Sequence, residues 1–198
     1  MNSAEAIGKL LVFMAEQFDH ESTDGGSEAS LALRNAATLP DLEFATTTCP
    51  KPDLIQSAVS HKAIDGINAL LNALPFLEWF DPSEAFANMA SDKSSGMMPV
   101  EVLGPDGMID HPTIRVGLYV QDPNFFYPAR RHPAEESYIM IAGEGFWSAE
   151  GQELSKRALG EVIFHPSNIS HANETRDVPM VAFWRWSGDI DYDHYYPE

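Results

Sequence analysis

Beyond about residue 100, the chain consists of short apolar segments separated by turn residues. In residues 114–120, Ile, Val and Leu alternate with Arg, Gly and Tyr, which is the two-residue period of a strand buried on one face. Residues 138–142, 161–164 and 180–186 are similarly short and rich in aromatic and β-branched side chains. Because Gly, Pro, Asn and Asp separate these segments at short intervals, they predict an antiparallel sandwich or barrel.

The first half of the chain has a different period. Apolar residues recur every three or four positions in residues 7–18 and again in residues 53–74, which predicts two amphipathic helices. Residues 91–98 are polar and contain Gly, so they predict a linker or a mobile loop. We therefore expect a mainly β protein, with a helical N-terminal region over residues 1–98 packed on a β-barrel over residues 99–198.

The chain is strongly acidic, with 30 Asp and Glu against 12 Lys and Arg and a formal net charge of −18. This charge opposes binding to nucleic acid and to anionic membranes, since both attract basic surfaces. The sequence has no apolar run of the ~18 residues that a membrane span needs, and its one cysteine, Cys49, excludes an intramolecular disulfide. We expect a cytoplasmic protein, monomeric or homodimeric, that acts on a small molecule.

Residues 127–143 contain the most informative group of polar side chains. His132 and Glu136 are four residues apart, and Tyr138 follows two residues later. If a strand begins near Glu136, then Glu136 and Tyr138 share one face and Glu135 points the other way, because side chains alternate along a strand. A carboxylate and a phenol inside a barrel are costly without a partner. A metal ion would provide that partner.

A second segment, residues 160–171, supplies further imidazoles. His171 lies far enough downstream for two hairpins to face each other across a barrel, whereas His165 directly precedes Pro166 and is interpreted as a rim or packing residue. His, Glu and Tyr together form a mixed nitrogen and oxygen ligand set. Such a set suits one divalent ion of borderline character, Zn²⁺, Fe²⁺, Mn²⁺, Co²⁺ or Ni²⁺, and composition does not choose among them.

These two segments resemble the two motifs of the cupin superfamily, which implies a double-stranded β-helix, or jelly-roll, barrel. The general first motif has two His one residue apart, then Glu and Gly, and the second has Gly, Pro, Gly and His. The matching positions are His132, Glu136, Gly143, Gly160, Pro166 and His171. Arg130 stands at the place of the first His, and Asn168 replaces the second Gly. Asn adopts left-handed backbone angles more readily than most residues, so the turn can be retained.

A narrower resemblance rests on His-x-x-x-Glu-x-Tyr preceded by Tyr127 and Pro128, in a chain of 198 residues with a helical N-terminal half. This pattern resembles the cupin-type dimethylsulfoniopropionate (DMSP) lyases, especially the Q type. That family binds one divalent metal ion and cleaves DMSP to dimethyl sulfide and acrylate. The resemblance implies that the zwitterion DMSP is the substrate, that Tyr138 is the catalytic base, and that Tyr127 belongs to the substrate pocket. The metal ligands that it implies are His132, Glu136, Tyr138 and His171.

Two tryptophans, Trp184 and Trp186, lie two residues apart on a predicted strand and therefore share a face. Either they line the cavity and bind the substrate, or they pack against the N-terminal helices. An aromatic wall would suit a sulfonium, because cations bind the faces of aromatic rings.

Three functions remain open at this point. The first is a metal-dependent lyase that eliminates dimethyl sulfide from DMSP, with a metal-bound Tyr as the base. The second is another mononuclear metal cupin enzyme, an oxygenase or an isomerase, and the third is a non-catalytic cupin that binds a small molecule. Turnover of DMSP without oxygen would distinguish the lyase from an oxygenase, since elimination consumes no oxygen.

Overall fold

The computed structural model describes residues 1–40, 42–80 and 96–197. The helices are α1 (Ser3–Phe18), α2 (Asp24–Ala36), α3 (Pro52–His61) and α4 (Asn68–Ala73), and short 3-10 helices cover Leu74–Phe76 and Tyr192–His194. The strands are β1 (Met97–Leu103), β2 (Ile114–Gln121), β3 (Phe126–Arg131), β4 (Glu135–Gly143), β5 (Phe146–Ala149), β6 (Ser155–Lys156), β7 (Val162–His165), β8 (His171–Glu174), β9 (Met180–Ser187) and β10 (Tyr196–Pro197). Residues 91–95 of the predicted linker lie outside the described residues, and Met97 and Met98 belong to β1.

The helical segments follow the predicted apolar stripes with one correction. Helix α1 buries its stripe, and the Asn2 side chain accepts a hydrogen bond from the Glu5 N–H at 2.8 Å, which caps the helix. Residues 53–74 do not form one helix, because the chain between α3 and α4 pairs with β4, where the Ile64 N–H donates to the Ile141 carbonyl at 3.0 Å. Sheet pairing has overridden the local helical pattern. None of the described helices is both long enough and apolar enough to span a bilayer.

The described strands form two five-stranded antiparallel sheets. Their orders are β1-β2-β9-β4-β7 and β10-β3-β8-β5-β6. Without β1 and β10, the orders become β2-β9-β4-β7 and β3-β8-β5-β6, which is the arrangement of a jelly roll built from two Greek keys. This is the cupin barrel that the sequence predicts. Strand β1 extends the first sheet beside β2, and β10 extends the second sheet beside β3.

The helices cover the outer face of the first sheet. Apolar side chains of α1 and α2 form one buried core with Val116, Leu118 and Val120 of β2 and Phe183 of β9. The opposite face of the same strands carries aromatic side chains, such as Tyr119, that point toward the second sheet. β2 and β9 are therefore buried along their whole length on both faces. This arrangement leaves the barrel interior, between the two sheets, as the place for functional side chains.

Candidate metal centre

The strands bring the His and Glu side chains of the two motifs together inside the barrel. Glu136 lies near the start of β4, directly opposite His165 of β7, and His171 begins β8. His132 follows the end of β3, which pairs with β8. Each of these four residues is at most 3% exposed, whereas Glu135 remains partly exposed, as strand alternation predicts.

The four side chains converge on one carboxylate oxygen. Glu136 Oε2 lies 3.0 Å from His171 Nε2, 3.6 Å from His132 Nε2 and 3.6 Å from His165 Nδ1. The imidazoles of His165 and His171 stack, with ring centroids 4.2 Å apart. One candidate ligand atom from each of His132, Glu136 and His171 lies within 4.8 Å of the other two, so the three atoms can reach a single ion.

Hydrogen bonds to the backbone and to an indole orient these side chains. Nδ1 of His132 lies 3.0 Å from the Ala134 carbonyl oxygen, and Nδ1 of His171 lies 2.9 Å from the Ile169 carbonyl oxygen. Because a carbonyl can only accept, each Nδ1 carries the proton and each Nε2 presents a lone pair to Glu136. The indole N–H of Trp186 donates to Glu136 Oε1 at 2.7 Å, which leaves Oε2 to face the imidazoles.

Four inward-facing atoms in this cluster have no hydrogen-bond partner among the described residues. They are His132 Nε2, Glu136 Oε2, His165 Nδ1 and His171 Nε2. Buried polar atoms are nearly always paired, so a group of unpaired atoms that face one point indicates a missing partner. All four are electron-pair donors of the types that bind divalent metals, and the cluster therefore fits such an ion.

The protonation states also suit a metal site. Burial lowers the pKa of His165, and burial together with the charge of Arg130 lowers the pKa of His171 to about 3. Burial raises the pKa of Glu136, but the contacts with the three imidazoles outweigh burial and leave it well below its usual value. At neutral pH His165 and His171 are therefore neutral and Glu136 is ionised, which is the state that metal ligands require.

An aromatic cavity adjoins the cluster. Its lining includes the side chains of Tyr119, Tyr127, Tyr138, Trp184, Trp186 and Tyr195, together with Arg130 and Glu136. Both tryptophans therefore face the cavity, and in the described part of the chain neither belongs to the core that the N-terminal helices form. Trp184 donates its indole N–H to the Leu118 carbonyl at 3.2 Å, so its ring is held at the wall of the cavity while its one polar atom is satisfied.

The two tyrosines singled out by sequence occupy the same cavity. The hydroxyl of Tyr138 accepts a hydrogen bond from Arg130 Nη2 at 3.2 Å, and the hydroxyls of Tyr127 and Tyr195 lie 2.6 Å apart. Burial, and then the negative charge of Glu136, raise the pKa of Tyr138 well above its usual value, while Arg130 acts in the opposite direction. A positive charge near this hydroxyl is thus what would favour its phenolate form.

Strand β3 contains an irregularity that determines which side chains enter the cavity. Tyr127 and Arg130 are three residues apart and would face opposite sides of a regular strand. The register between β3 and β8 shifts between these two residues, and both side chains are buried. A bulge re-aims side chains in this way, and Pro128, which has no N–H to donate, lies within the irregular stretch.

Several cavity residues were not identified from sequence. His165 is not a rim residue, because it lies in the cluster beside His171. The sequence feature that could have indicated this is strand alternation, which places His165 on the opposite face of β7 from the more exposed Phe164. Tyr119 and Tyr195 come from β2 and from the C-terminal segment, and no motif links those segments to the cluster. Arg130 was recognised only as a departure from the first cupin motif.

Comparison with known proteins gives one family match. The dimethylsulfoniopropionate lyase family model matches residues 28–182. Dimethylsulfoniopropionate lyase DddQ of Ruegeria pomeroyi DSS-3 is 32% identical over 90 residues, which are 46% of this chain and 45% of that protein. The aligned part thus spans less than half the length of that relative.

Two solved structures are similar over nearly the whole chain. The crystal structure of DMSP lyase DddQ from Ruegeria pomeroyi DSS-3 superposes with a TM-score of 0.70 and 23% identity, covering 94% of this chain and 93% of the other. A chain from the crystal structures of the DMSP lyases RdDddP and RnDddQII has the same TM-score and identity, covering 99% of this chain and 100% of the other. At this identity, the likeness shows a shared fold.

Proposed function

The chain belongs to the dimethylsulfoniopropionate lyase family, and on this basis we propose that it cleaves DMSP to dimethyl sulfide and acrylate by β-elimination. The observation that carries the proposal is the coincidence of two features. The family match spans the barrel strands from β1 to the first part of β9, and the interior of that barrel holds unpaired His and Glu atoms beside an aromatic cavity that contains Tyr138.

His132, Glu136 and His171 would hold one divalent ion, with Tyr138 as the further ligand that the family resemblance implies. His165 adds a third imidazole, whose Nδ1 lies 3.6 Å from Glu136 Oε2. When bound, a divalent cation supplies positive charge that stabilises anionic oxygen atoms in the cavity. Zn²⁺, Fe²⁺, Mn²⁺, Co²⁺ and Ni²⁺ are all compatible with this set of nitrogen and oxygen donors.

The cavity wall suits the two ends of the proposed substrate. DMSP carries a sulfonium at one end and a carboxylate at the other. The indoles of Trp184 and Trp186 line the cavity, and aromatic rings of this kind attract a cation. Because the polar groups of the cavity are buried, a bound substrate would be shielded from water, which strengthens electrostatic contacts with it.

Tyr138 is the proposed base. Its oxygen would take the proton from the carbon next to the carboxylate, the electrons of that C–H bond would form the new C=C bond, and the C–S bond would break with its electron pair moving to sulfur. Dimethyl sulfide leaves as a neutral molecule, so no acid is needed. The hydrogen bond from Arg130 fixes the Tyr138 hydroxyl, and its charge opposes the rise in the Tyr138 pKa that burial and Glu136 cause. A positioned base of this kind contributes roughly 10²–10⁴-fold to the rate.

The test is detection of dimethyl sulfide in the gas phase after DMSP is added to metal-loaded protein without oxygen. We expect dimethyl sulfide and acrylate in a 1:1 ratio, and no dimethyl sulfide from protein stripped of metal. Turnover that requires oxygen would favour an oxygenase. Stoichiometric metal with no turnover of DMSP would favour a binding protein.

A further inference from the structure

Arg130 differs from the other buried arginines of the barrel. The guanidinium of Arg115 lies 2.8 Å from a carboxylate oxygen of Glu101, and that of Arg185 pairs with Glu21. Arg130 is 1% exposed, yet among the residues that the structure describes no carboxylate lies within ion-pair distance of it. A buried charge without a partner is costly, so a cation kept in this state indicates an anion that arrives later.

The contacts of Arg130 hold it toward the cavity. Its Nη2 donates to the Tyr138 hydroxyl at 3.2 Å, its Nη1 donates to the His171 carbonyl at 3.5 Å, and its guanidinium carbon lies 3.8 Å above the ring of Tyr127. These partners are all neutral groups, and two of them are tyrosines that line the cavity. Neutral contacts therefore hold the guanidinium in place at the wall of the cavity. None of these contacts supplies a negative charge to balance it.

The backbone of β3 also directs the side chain of residue 130 into the barrel. The bulge in β3 turns Arg130 into the barrel together with Tyr127, and His132 follows two residues later on the same side. A guanidinium has no lone pair with which to bind a metal. Arginine at this position therefore cannot add to the metal site, and instead brings a planar fork that matches the two oxygens of a carboxylate.

We propose that Arg130 binds the carboxylate of the substrate and makes the cavity selective for small carboxylates. The aromatic wall would then take the other end of the molecule, so that Arg130 and the wall together orient it across the cluster. The choice of a sulfonium carboxylate as the natural ligand rests on the proposed function. The affinity for a carboxylate can nevertheless be measured without any turnover.

The test compares propionate, which has the carboxylate alone, with trimethylsulfonium, which has the cation alone. Binding to metal-loaded protein would be followed by ligand-observed NMR at fixed ionic strength. We expect Arg130→Met to weaken propionate binding by about 10- to 100-fold, since a hydrogen-bonded charge is lost, without weakening trimethylsulfonium binding or lowering metal content. The propionate affinity of Arg130→Lys should lie between those of the wild type and of Arg130→Met, because lysine keeps the charge but lacks the two parallel N–H donors of a guanidinium.

Arg176→Met is the matched control. It removes the same charge from a side chain that is 61% exposed and pairs with Glu174, so it corrects for the change in net charge.

The proposal would be overturned if Arg130→Met kept the wild-type affinity for propionate and propionate binding were lost on metal removal. That result would assign the carboxylate to the metal cluster. If Arg130→Met does not fold, wild-type propionate affinity in Arg130→Lys would overturn it equally. Propionate binding that depends on Arg130 without release of dimethyl sulfide would refute the proposed function and leave this assignment intact.

Discussion

Replacing Trp186 with Phe removes one hydrogen bond from the candidate metal centre while keeping an aromatic ring. The indole N–H donates to Glu136 Oε1 at 2.7 Å, and both side chains are 3% exposed. A buried hydrogen bond to a charged group contributes roughly 1.5–3 kcal/mol, and about 1.4 kcal/mol corresponds to a factor of ten in affinity. Without this donor the carboxylate is free to turn away from the imidazoles. We therefore expect Trp186→Phe to weaken binding of a divalent metal by about 10- to 100-fold.

Metal affinity would be measured by competition between the protein and a chromophoric chelator for Zn²⁺. The matched control is Trp184→Phe, which removes an indole from the same strand and the same cavity. The N–H of Trp184 donates to the Leu118 carbonyl and does not contact Glu136. Both variants lose the same side-chain volume, so any loss that they share reports packing. Thermal unfolding of each variant would establish that both are folded.

Equal Zn²⁺ affinity in the two variants would refute the reasoning. It would mean that the carboxylate of Glu136 keeps its orientation without the indole. A loss confined to Trp186→Phe would instead show that the hydrogen bond, and not the ring, supports the metal site.

Three further substitutions probe other contacts. Tyr138→Phe should lower release of dimethyl sulfide from DMSP by at least ~100-fold, because the proposed base is lost, while metal content stays largely unchanged, because His132, Glu136 and His171 still hold the ion. Glu21→Gln should lower the free energy of unfolding at pH 7 by about 3–5 kcal/mol in denaturant titrations, because it leaves Arg185 buried without its carboxylate. Burial raises the pKa of Glu21, but hydrogen bonds, of which that from Arg185 is the strongest, lower the pKa below its usual 4.5. The loss of unfolding free energy in Glu21→Gln should therefore be complete above pH 4.5, where Glu21 is ionised, and should shrink as the pH falls further. Gly117→Ala should lower the Tm, because a Cβ at this position would lie 1.9 Å from the Val100 carbonyl oxygen.

Each substitution has a control and a contradicting result. Tyr127→Phe should reduce turnover less than Tyr138→Phe, and near-normal turnover in Tyr138→Phe would exclude that residue as the base. Asp19→Asn breaks an exposed pair and should change stability little, and a loss in Glu21→Gln that is the same at every pH would contradict the assigned pKa. Gly8→Ala lies in a helix with its nearest contact at 4.0 Å, so it should not lower the Tm, and a similar fall there would point to a general effect.

The centre of the site was accessible from sequence because its residues stand at motif spacing on a strand. Glu136 and Tyr138 share a face by alternation alone, and the cupin pattern links them to His132 and to the distant His171. Alternation also predicts that Trp184 and Trp186 share a face. It does not say which face, because that depends on where the helices pack.

The remaining features depend on contacts between distant parts of the chain. His165 enters the cluster because β7 pairs with β4, and this pairing has no local signal. The orientation of Arg130 depends on a bulge, and a period-two pattern cannot reveal an inserted residue. Residues 53–74 have a continuous helical period, yet the pairing of Ile64 with β4 divides them into two helices.

The position of β9 in the first sheet has a consequence for how the protein is made. This strand lies between β2 and β4 and pairs with both along nearly its whole length. During synthesis, β2 and β4 are therefore complete well before their shared neighbour exists, and each exposes an unpaired edge in the meantime. The sheet cannot close, and the helices have no finished surface to cover, until Met180–Ser187 has left the ribosome. Folding of this barrel must therefore wait until β9 has been synthesised, and a chaperone that shields the open edges should raise its yield.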